Sequence, residues 1–217
     1  MSIRLGQEIL LKGINLQIKK GEKIGIIGHT GSGKTTFLRA LAGLLQYDGS
    51  IKYDDVELKE INRESFRRHI GFFTQQPFIF AGSVRENLLI AKPDASEEEM
   101  KKALELSVCD FVKSLDDPLE EGGRNLSGGE MQRLTLARLF LKNPDIIFLD
   151  EVTSAMDVKT EQIVLKNIFE FFKDKTIILV AHRFSNILLC DRVLAFKEGR
   201  IASQGKPQEV IKFFLQQ

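Results

Sequence analysis

The chain has 217 residues, of which 43% are hydrophobic and 28% charged, an ordinary composition for a globular protein of one or two domains. Lys and Arg number 31 against 30 Asp and Glu, and a formal net charge of +1 removes the electrostatic case for a general nucleic-acid binder. Cys109 and Cys190 are too few for a disulfide framework or a zinc site, and we expect buried free thiols. The sequence has neither a run of roughly 18 apolar residues nor a signal-peptide pattern, which predicts a position in the cytosol or on the cytosolic side of another structure.

Apolar runs and helical spacing predict an alternation of strands and helices. The predicted strands are 22–27, 51–53, 70–74, 146–150, 176–181, 193–196 and 200–203. The predicted helices are 36–45, 84–89, 96–106, 110–115, 128–141, 159–171, 186–189 and 207–214. Strands 146–150 and 176–181 are nearly all apolar and have a helix between them, which is typical of a parallel sheet covered on both faces. Residues 77–125 contain no predicted strand, and we interpret them as a helical insertion into an α/β core.

A glycine-rich loop follows the first predicted strand and matches the pattern G-x-x-x-x-G-K-[ST]. Its residues are Gly28, His29, Thr30, Gly31, Ser32, Gly33, Lys34 and Thr35, and Thr36 opens the next helix. Glycines let the backbone aim successive N–H groups at phosphate oxygens, and the helix adds the positive end of its dipole. In this motif Lys34 reaches the β- and γ-phosphates and the Thr35 hydroxyl holds Mg²⁺. The alternative is a turn that binds nothing, which the flanking strand and helix disfavour.

A second glycine-rich segment lies immediately before the predicted helix 128–141. Ser127 can cap that helix, and Gly128 and Gly129 leave its backbone N–H groups open to close approach. One nucleotide rarely needs two such helix termini from one subunit. We therefore infer that this terminus serves the γ-phosphate of a nucleotide held by another subunit. The alternative is a flexible loop before a capped helix.

Two carboxylates end the apolar strand 146–150. Ligands of open α/β sheets bind at the carboxyl ends of the strands, where Asp150 and Glu151 lie. Asp150 is the natural partner for Mg²⁺, usually through water, and Glu151 is the candidate to polarise an attacking water. The alternative is that both side chains only cap the next turn.

Taken together, these motifs resemble the ATP-binding domain of an ABC transporter. The phosphate loop, the signature at 126–130, the second Walker motif at Asp150 and Glu151, and the segment 154–157 occur in family order. Gln75 stands at the glutamine of the family's glutamine loop, and His182 stands at its switch histidine. The resemblance runs from about residue 10 to residue 210 and covers nearly the whole chain.

The resemblance implies both a fold and an organisation. The fold is a P-loop NTPase core of the α/β class, with a mostly parallel sheet, a helical subdomain insertion and a reduced N-terminal antiparallel β region. The chain is then a single domain, 1–217, with its ATPase core at 1–76 and 126–217 and its helical insertion at 77–125.

The resemblance also implies a site for ATP and Mg²⁺ and the partners that complete it. The implied catalytic residues are Lys34, Gln75, Glu151 and His182, and the implied metal residues are Thr35, Gln75 and Asp150. The implied nucleotide-binding residues are Gly28 to Thr36, Gln75, Ser127, Gly128, Gly129, Glu130 and His182. Two domains would pair head to tail, as a homodimer or a heterodimer, and ATP hydrolysis would drive transport by transmembrane domains that this chain lacks. The domain would lie on the cytoplasmic side of the inner or plasma membrane.

The segments 77–87 and 121–125 resemble the exporter branch of the family. The alternatives are an importer ATPase subunit and an ATP-binding regulatory domain with weak hydrolysis. A soluble ABC-type ATPase of translation or DNA repair fits less well, because such proteins usually carry paired ATPase units or a long coiled-coil insertion and the charge here is near neutral.

Three departures from the family pattern stand out. No aromatic residue precedes Phe37, whereas the family normally stacks an aromatic side chain on adenine. Either the chain is a trimmed piece of a longer transporter or the stacking is missing, which would cost about 1–3 kcal/mol. Glu130 replaces the commoner Gln, with modest damage expected, and Met156 replaces Leu, a near-isosteric change.

Overall fold

The computed structural model describes residues 1–5, 8–74 and 77–216. The strands are β1 (Ile3–Leu5), β2 (Glu8–Leu11), β3 (Lys23–Gly28), β4 (Lys52–Tyr53), β5 (Val56–Glu57), β6 (Ile70–Phe73), β7 (Gly82–Ser83), β8 (Pro118–Leu119), β9 (Ile146–Asp150), β10 (Thr176–Val180), β11 (Arg192–Lys197) and β12 (Arg200–Gly205). The helices are α1 (Lys34–Leu41), α2 (Arg63–His69), α3 (Val84–Leu89), α4 (Glu97–Leu106), α5 (Gly128–Lys142), α6 (Val158–Phe171), α7 (Phe184–Ile187) and α8 (Pro207–Leu215). Within these described ranges, every helix is too short or too polar to cross a membrane.

The chain divides into two compact units by its internal contacts. The first unit comprises Met1–Phe72, Asp145–Glu151 and Asp174–Gln217. The second comprises Phe73–Pro144 and Val152–Lys173 and includes helices α3 to α6. The division into an ATPase core and an insertion at 77–125 remains a prediction.

The main sheet has six strands in the order β12-β11-β3-β10-β9-β6. Strand β3 pairs in parallel with β10 and β11, and β10 pairs in parallel with β9, whereas β12 runs antiparallel to β11. The mostly parallel sheet expected from the sequence is therefore confirmed. Near the N-terminus β1 and β2 form a separate two-stranded antiparallel sheet, as the expected reduced β region requires.

Large apolar side chains fix the sheet and α1 in one core. Ile24 and Ile26 of β3, Phe37 of α1, Phe148 of β9 and Phe196 of β11 are all nearly inaccessible to solvent. The Phe37 and Phe196 rings lie 5.2 Å apart between centroids. Burial of such side chains stabilises the fold by roughly 1.5–3 kcal/mol each. Because the parallel strands end together, residues that follow β3, β9 and β10 lie at one edge of the sheet.

One predicted helix is absent: residues 110–115 form turns instead. The Asp117 carboxylate accepts hydrogen bonds from the backbone N–H groups of Lys113 (2.7 Å) and Ser114 (3.0 Å). The Leu115 carbonyl accepts one from the backbone of Arg85 at 2.7 Å. In a continuous helix these N–H and carbonyl groups would bond to one another along the helix. Here they bond to a side chain and to another segment, so the helix does not form.

Several short elements were not predicted or lie elsewhere. Strands β7 and β8 pair with each other within the segment 77–125, where no strand was expected. The prediction missed them because a two-residue strand is too short to show a periodic pattern. Helix α2 is also unpredicted, although Asn62 caps it by accepting hydrogen bonds from the N–H groups of Glu64 and Ser65, both at 3.0 Å. Helix α7 begins at Phe184, two residues before the predicted start.

Candidate nucleotide site

The phosphate loop connects the end of β3 to the start of α1 and depends on two glycines. Gly33 has φ 102° in the left-handed region, and a Cβ there would lie 2.7 Å from Leu11 Cδ2. A Cβ at Gly28 would lie 2.6 Å from both the Phe196 carbonyl oxygen and Ser32 Oγ. A side chain at either position would therefore displace the loop, which explains why the pattern needs glycine.

Lys34 turns back into the phosphate loop. Its Nζ donates hydrogen bonds to the carbonyl oxygens of Gly28 (2.8 Å) and His29 (3.0 Å). Burial lowers the pKa of the Lys34 ammonium group, while the charges of Glu151 and Asp150 act in the opposite direction. The loop therefore holds a buried positive charge beside two carboxylates, at the place where the motif predicts phosphate binding.

The remaining loop residues differ in exposure. His29, Thr30 and Gly31 are exposed, whereas Thr36 is half-buried and Ser32 is buried. The Ser32 N–H donates a hydrogen bond to the His29 carbonyl oxygen at 3.1 Å. The first part of the loop is thus exposed to solvent, whereas Ser32 and Lys34 are buried.

Asp150 ends β9 and is only 3% exposed. Burial raises the pKa of its carboxyl group above the usual value, while the neighbouring Thr35 hydroxyl acts in the opposite direction. No described residue offers a hydrogen bond to Asp150 Oδ1, a buried atom. Leaving such an oxygen unsatisfied costs about 1–3 kcal/mol, more if it is charged, and a bound cation would remove this cost.

The chemistry of this pair fits Mg²⁺. Mg²⁺ usually binds through one or two carboxylates, with water and substrate phosphates as its other ligands. Asp150 Oδ1 and the Thr35 hydroxyl supply oxygen ligands of that kind. Across the residues that the structure describes, no cluster of three or more His, Cys, Asp or Glu side chains could hold a metal alone. Gln75, the third predicted metal residue, lies outside the described residues.

Glu151 and His182 meet at the same sheet edge. Glu151 follows β9 with φ 53°, a left-handed conformation that is uncommon for a residue with a side chain. Its N–H donates to the Val180 carbonyl oxygen at 3.1 Å, and its Oε1 lies 2.6 Å from His182 Nε2. The first unit therefore brings together four of the residues that the sequence proposes for the site, Lys34, Asp150, Glu151 and His182.

The second unit carries the other predicted anion site, at the start of α5. Ser127 is the N-cap, and its Oγ accepts a hydrogen bond from the Glu130 N–H at 3.3 Å. The Glu130 carboxylate accepts one from the Ser127 N–H at 2.7 Å, which completes a capping box. This backbone hydrogen bond lowers the pKa of Glu130, so a full negative charge lies at the helix start.

Sequence reasoning missed one residue that ties two motifs together. The buried Gln132 side chain donates to Ser154 Oγ at 3.1 Å and accepts from the Ala155 N–H at 3.2 Å. A Cβ at Gly129 would lie 2.9 Å from the Ala155 carbonyl oxygen. The signature helix start thus packs directly on the segment 154–157. A polar residue at a buried position of the predicted helix was the available signal.

Comparisons with known proteins agree with this geometry. Residues 11–154 match the family model described as ABC transporter. A Haemophilus influenzae protein described as a probable ABC transporter ATP-binding/permease protein is 42% identical over 205 residues, which is 91% of this chain and 37% of the relative. The ATP-dependent permease MDL1 of Candida albicans is 39% identical over 213 residues, 93% of this chain and 31% of the relative.

A solved structure agrees as well. A bacterial Atm1-family ABC exporter with ATP bound has a TM-score of 0.89 and 30% identity over 95% of this chain and 37% of that chain. The chain thus spans about a third of the length of these proteins. The matches confirm the resemblance inferred from the motifs, including the exporter branch. The chain belongs to the ABC transporter family and is an ATP-binding domain of it.

Proposed function

We propose that this domain binds and hydrolyses ATP with Mg²⁺ as one member of a head-to-tail pair, and that the hydrolysis drives export of a substrate through transmembrane domains. The single observation that carries the proposal is the meeting of Lys34, Asp150, Glu151 and His182 at one sheet edge. A cation, a metal-binding carboxylate and a second carboxylate are the groups that phosphoryl transfer from a nucleotide requires.

The phosphate loop would bind the triphosphate through its backbone N–H groups and Lys34. The ammonium group now donates to the Gly28 and His29 carbonyl oxygens and would turn toward the β- and γ-phosphates. Thr35 and Asp150 would hold Mg²⁺, with Gln75 added by the family resemblance. Bound Mg²⁺ supplies positive charge that offsets the charge on the transferring phosphoryl group.

Glu151 would orient the attacking water. Its carboxylate lies beside Lys34 and against His182, at the carboxyl end of a buried strand. His182 would contact the γ-phosphate and keep the Glu151 side chain in place through their 2.6 Å contact. Because the carboxylate is already fixed in position, it loses little conformational entropy when it orients the water.

The start of α5 would bind the γ-phosphate held by the other domain of the pair. The Ser127 hydroxyl accepts a hydrogen bond from Glu130, which leaves its own proton available for a phosphate oxygen. Gly128 is exposed, and α5 adds the positive end of its dipole. ATP would then close the pair, because its γ-phosphate contacts both domains, and hydrolysis would let the pair open.

An exposed aromatic surface in the second unit would contact the transmembrane domains on the cytoplasmic side. Phe78 and Phe80 are 49% and 44% exposed, and their rings lie 4.9 Å apart. Arg138 of α5 donates a hydrogen bond to the Phe78 carbonyl oxygen at 2.6 Å and so fixes the backbone of this segment. Exposed apolar patches of this kind mark interaction sites. The Haemophilus relative is described as an ATP-binding/permease protein, which supports a permease partner.

Steady-state phosphate release from the purified chain tests the proposal. With Mg-ATP, the native chain should turn over and Glu151→Gln should be inactive while still binding ATP. The matched control is Glu170→Gln, an exposed glutamate of α6 that pairs with Lys166 and should leave the rate unchanged. Normal turnover by Glu151→Gln would remove Glu151 from the chemistry.

A further inference from the structure

Phe214, near the end of α8, contacts two segments of the candidate site. Its ring centroid lies 5.0 Å from that of His29 in the phosphate loop, with the rings tilted by 35°. On another side the Phe184 ring meets it edge to face at 6.2 Å. Both distances fall in the range of attractive aromatic pairs. One side chain therefore links the loop after β3 with the segment after β10.

The His29 contact acts on the backbone that surrounds Lys34. The His29 carbonyl oxygen accepts hydrogen bonds from Lys34 Nζ at 3.0 Å and from the Ser32 N–H at 3.1 Å. His29 is otherwise exposed to solvent. The Phe214 ring covers one face of the imidazole and restricts its movement. Fixing the His29 ring therefore restricts the loop at the point where it holds the ammonium group.

The Phe184 contact acts on the segment that carries His182. Phe184 begins α7 and lies two residues after His182, whose Nε2 lies 2.6 Å from Glu151 Oε1. Helix α7 has only four residues and depends on its packing for a fixed position. Phe214 thereby contributes to the placement of both halves of the site in the first unit.

Helix α8 is a firm support for this ring. Its first residue, Pro207, and Val210 are both buried, and the helix packs against β11 and β12. Proline at the first helical position also fixes the helix start. Phe214 therefore approaches the loop from a helix anchored on the main sheet rather than from a free terminus.

We infer that Phe214 is a positioning residue for nucleotide binding, which acts through its ring contact with His29 to hold the phosphate loop in its binding arrangement. This inference rests on the proposed binding of nucleotide phosphates by that loop. The neighbouring Phe213 is 36% exposed and offers a matched control, since the same truncation there removes an aromatic ring of the same helix.

The affinity for Mg-ADP, measured by calorimetry, tests the inference, because ADP is not hydrolysed and lacks the γ-phosphate that would bridge two domains. Phe214→Ala should raise the Kd roughly two- to tenfold, the range of one aromatic pair. Phe213→Ala should change it less than about twofold. Phe214→Tyr keeps the ring and should retain native affinity, whereas Phe214→Leu keeps apolar bulk and should weaken binding as the alanine does.

A double-mutant cycle separates the ring contact from general packing. In a His29→Ala background the Phe214→Ala change should have almost no further effect on Kd, because its partner ring is already gone. An unchanged Kd for Phe214→Ala, or the same fold-change with and without the His29 ring, would overturn the inference. Thermal denaturation of each variant shows whether it is folded, and Phe214→Leu replaces the alanine if that variant is not. A native chain that binds no Mg-nucleotide would instead contradict the proposed function.

Discussion

His182 Nε2 lies 2.6 Å from Glu151 Oε1, although the two residues are 31 positions apart in sequence. The parallel register explains the meeting, since Val180 of β10 pairs with Asp150 of β9, and Glu151 follows one residue and His182 two residues after these partners. His182 thus holds the carboxylate that we propose orients the attacking water, and it links the loops after β9 and β10 to one chemical step.

His182→Ala should lower kcat by about a hundredfold or more, because Glu151 loses its neighbour and the γ-phosphate loses a contact. The effect on KM for ATP should be small, since the phosphate loop stays intact. His69→Ala is the control: His69 is an exposed histidine whose Nδ1 lies 2.7 Å from Asp145 Oδ2, away from the phosphate loop. If both variants lost activity equally, the specific role of His182 would be wrong.

Asp150→Asn should raise the stability of the nucleotide-free domain at pH 7 while it abolishes hydrolysis. Burial raises the pKa of Asp150, so the folded state binds its proton more tightly than the unfolded state does, and its charged form destabilises the fold at pH 7. Asparagine keeps the shape and removes the charge. Each kcal/mol gained should raise the Tm by about 2–4 °C.

The stability gain from Asp150→Asn should shrink as the pH falls through the raised pKa of Asp150, because the native carboxyl then becomes neutral as well. Thermal scans of both proteins between neutral and acid pH measure this difference. A lower Tm for the variant at pH 7 would contradict this prediction. It would mean that neighbouring groups stabilise the charged carboxylate by more than its burial destabilises it.

Glu130→Gln should lower the ATP concentration needed for half-maximal hydrolysis by about two- to fivefold at low salt, the scale of one charge at a helix terminus. Glutamine can keep the capping box with Ser127 but removes a negative charge from a helix start that we propose binds phosphate. The difference should diminish at high salt.

A second capping box in the same unit provides the control for Glu130. Ser96 and Glu99 cap α4 with the same reciprocal bonds, at 2.9 and 3.2 Å. Glu99→Gln should therefore leave the ATP dependence unchanged. Equal effects of the two glutamine variants would show that helix capping, and not charge beside phosphate, decides the result.

Asn87→Ala should destabilise the domain by about 2–4 kcal/mol, because it removes several hydrogen bonds made by the side chain of a fully buried residue. The Asn87 side chain accepts from the Phe80 N–H at 3.0 Å and donates to the carbonyl oxygens of Phe80 (2.8 Å) and Ser83 (3.0 Å). The Arg138 guanidinium also donates to Asn87 Oδ1. Urea unfolding measures the change.

Removal of the exposed Phe78 ring should affect association with a partner and leave the stability of the domain almost unchanged. Phe78→Ala should change the free energy of unfolding by less than about 0.5 kcal/mol, since the side chain is half exposed. It should instead weaken association with the transmembrane domains, measured by co-purification. A large loss of stability with native association would argue that Phe78 packs within the domain and is not part of the interaction surface.

Sequence reasoning reached the parallel sheet and the phosphate loop because both depend on local patterns. The apolar runs of β9 and β10 and the spacing from Gly28 to Thr35 are readable without knowledge of any distant contact. The turns at 110–115 and the β7–β8 pair could not be read in that way, since the hydrogen bond from Arg85 to Leu115 and the β7–β8 ladder join residues 30 to 37 positions apart. Nor does a sequence reveal that Gln132 bonds to Ser154 or that Phe214 reaches His29.

Sedimentation velocity of the Glu151→Gln domain in saturating Mg-ATP shows whether two copies share the nucleotide, since that variant should hold ATP between them without hydrolysing it. We predict an ATP-dependent dimer, and the additional change Ser127→Arg should return it to single domains that still bind ATP through the phosphate loop. If Glu151→Gln binds ATP yet sediments only as single domains, even together with its membrane partners, the paired site is contradicted.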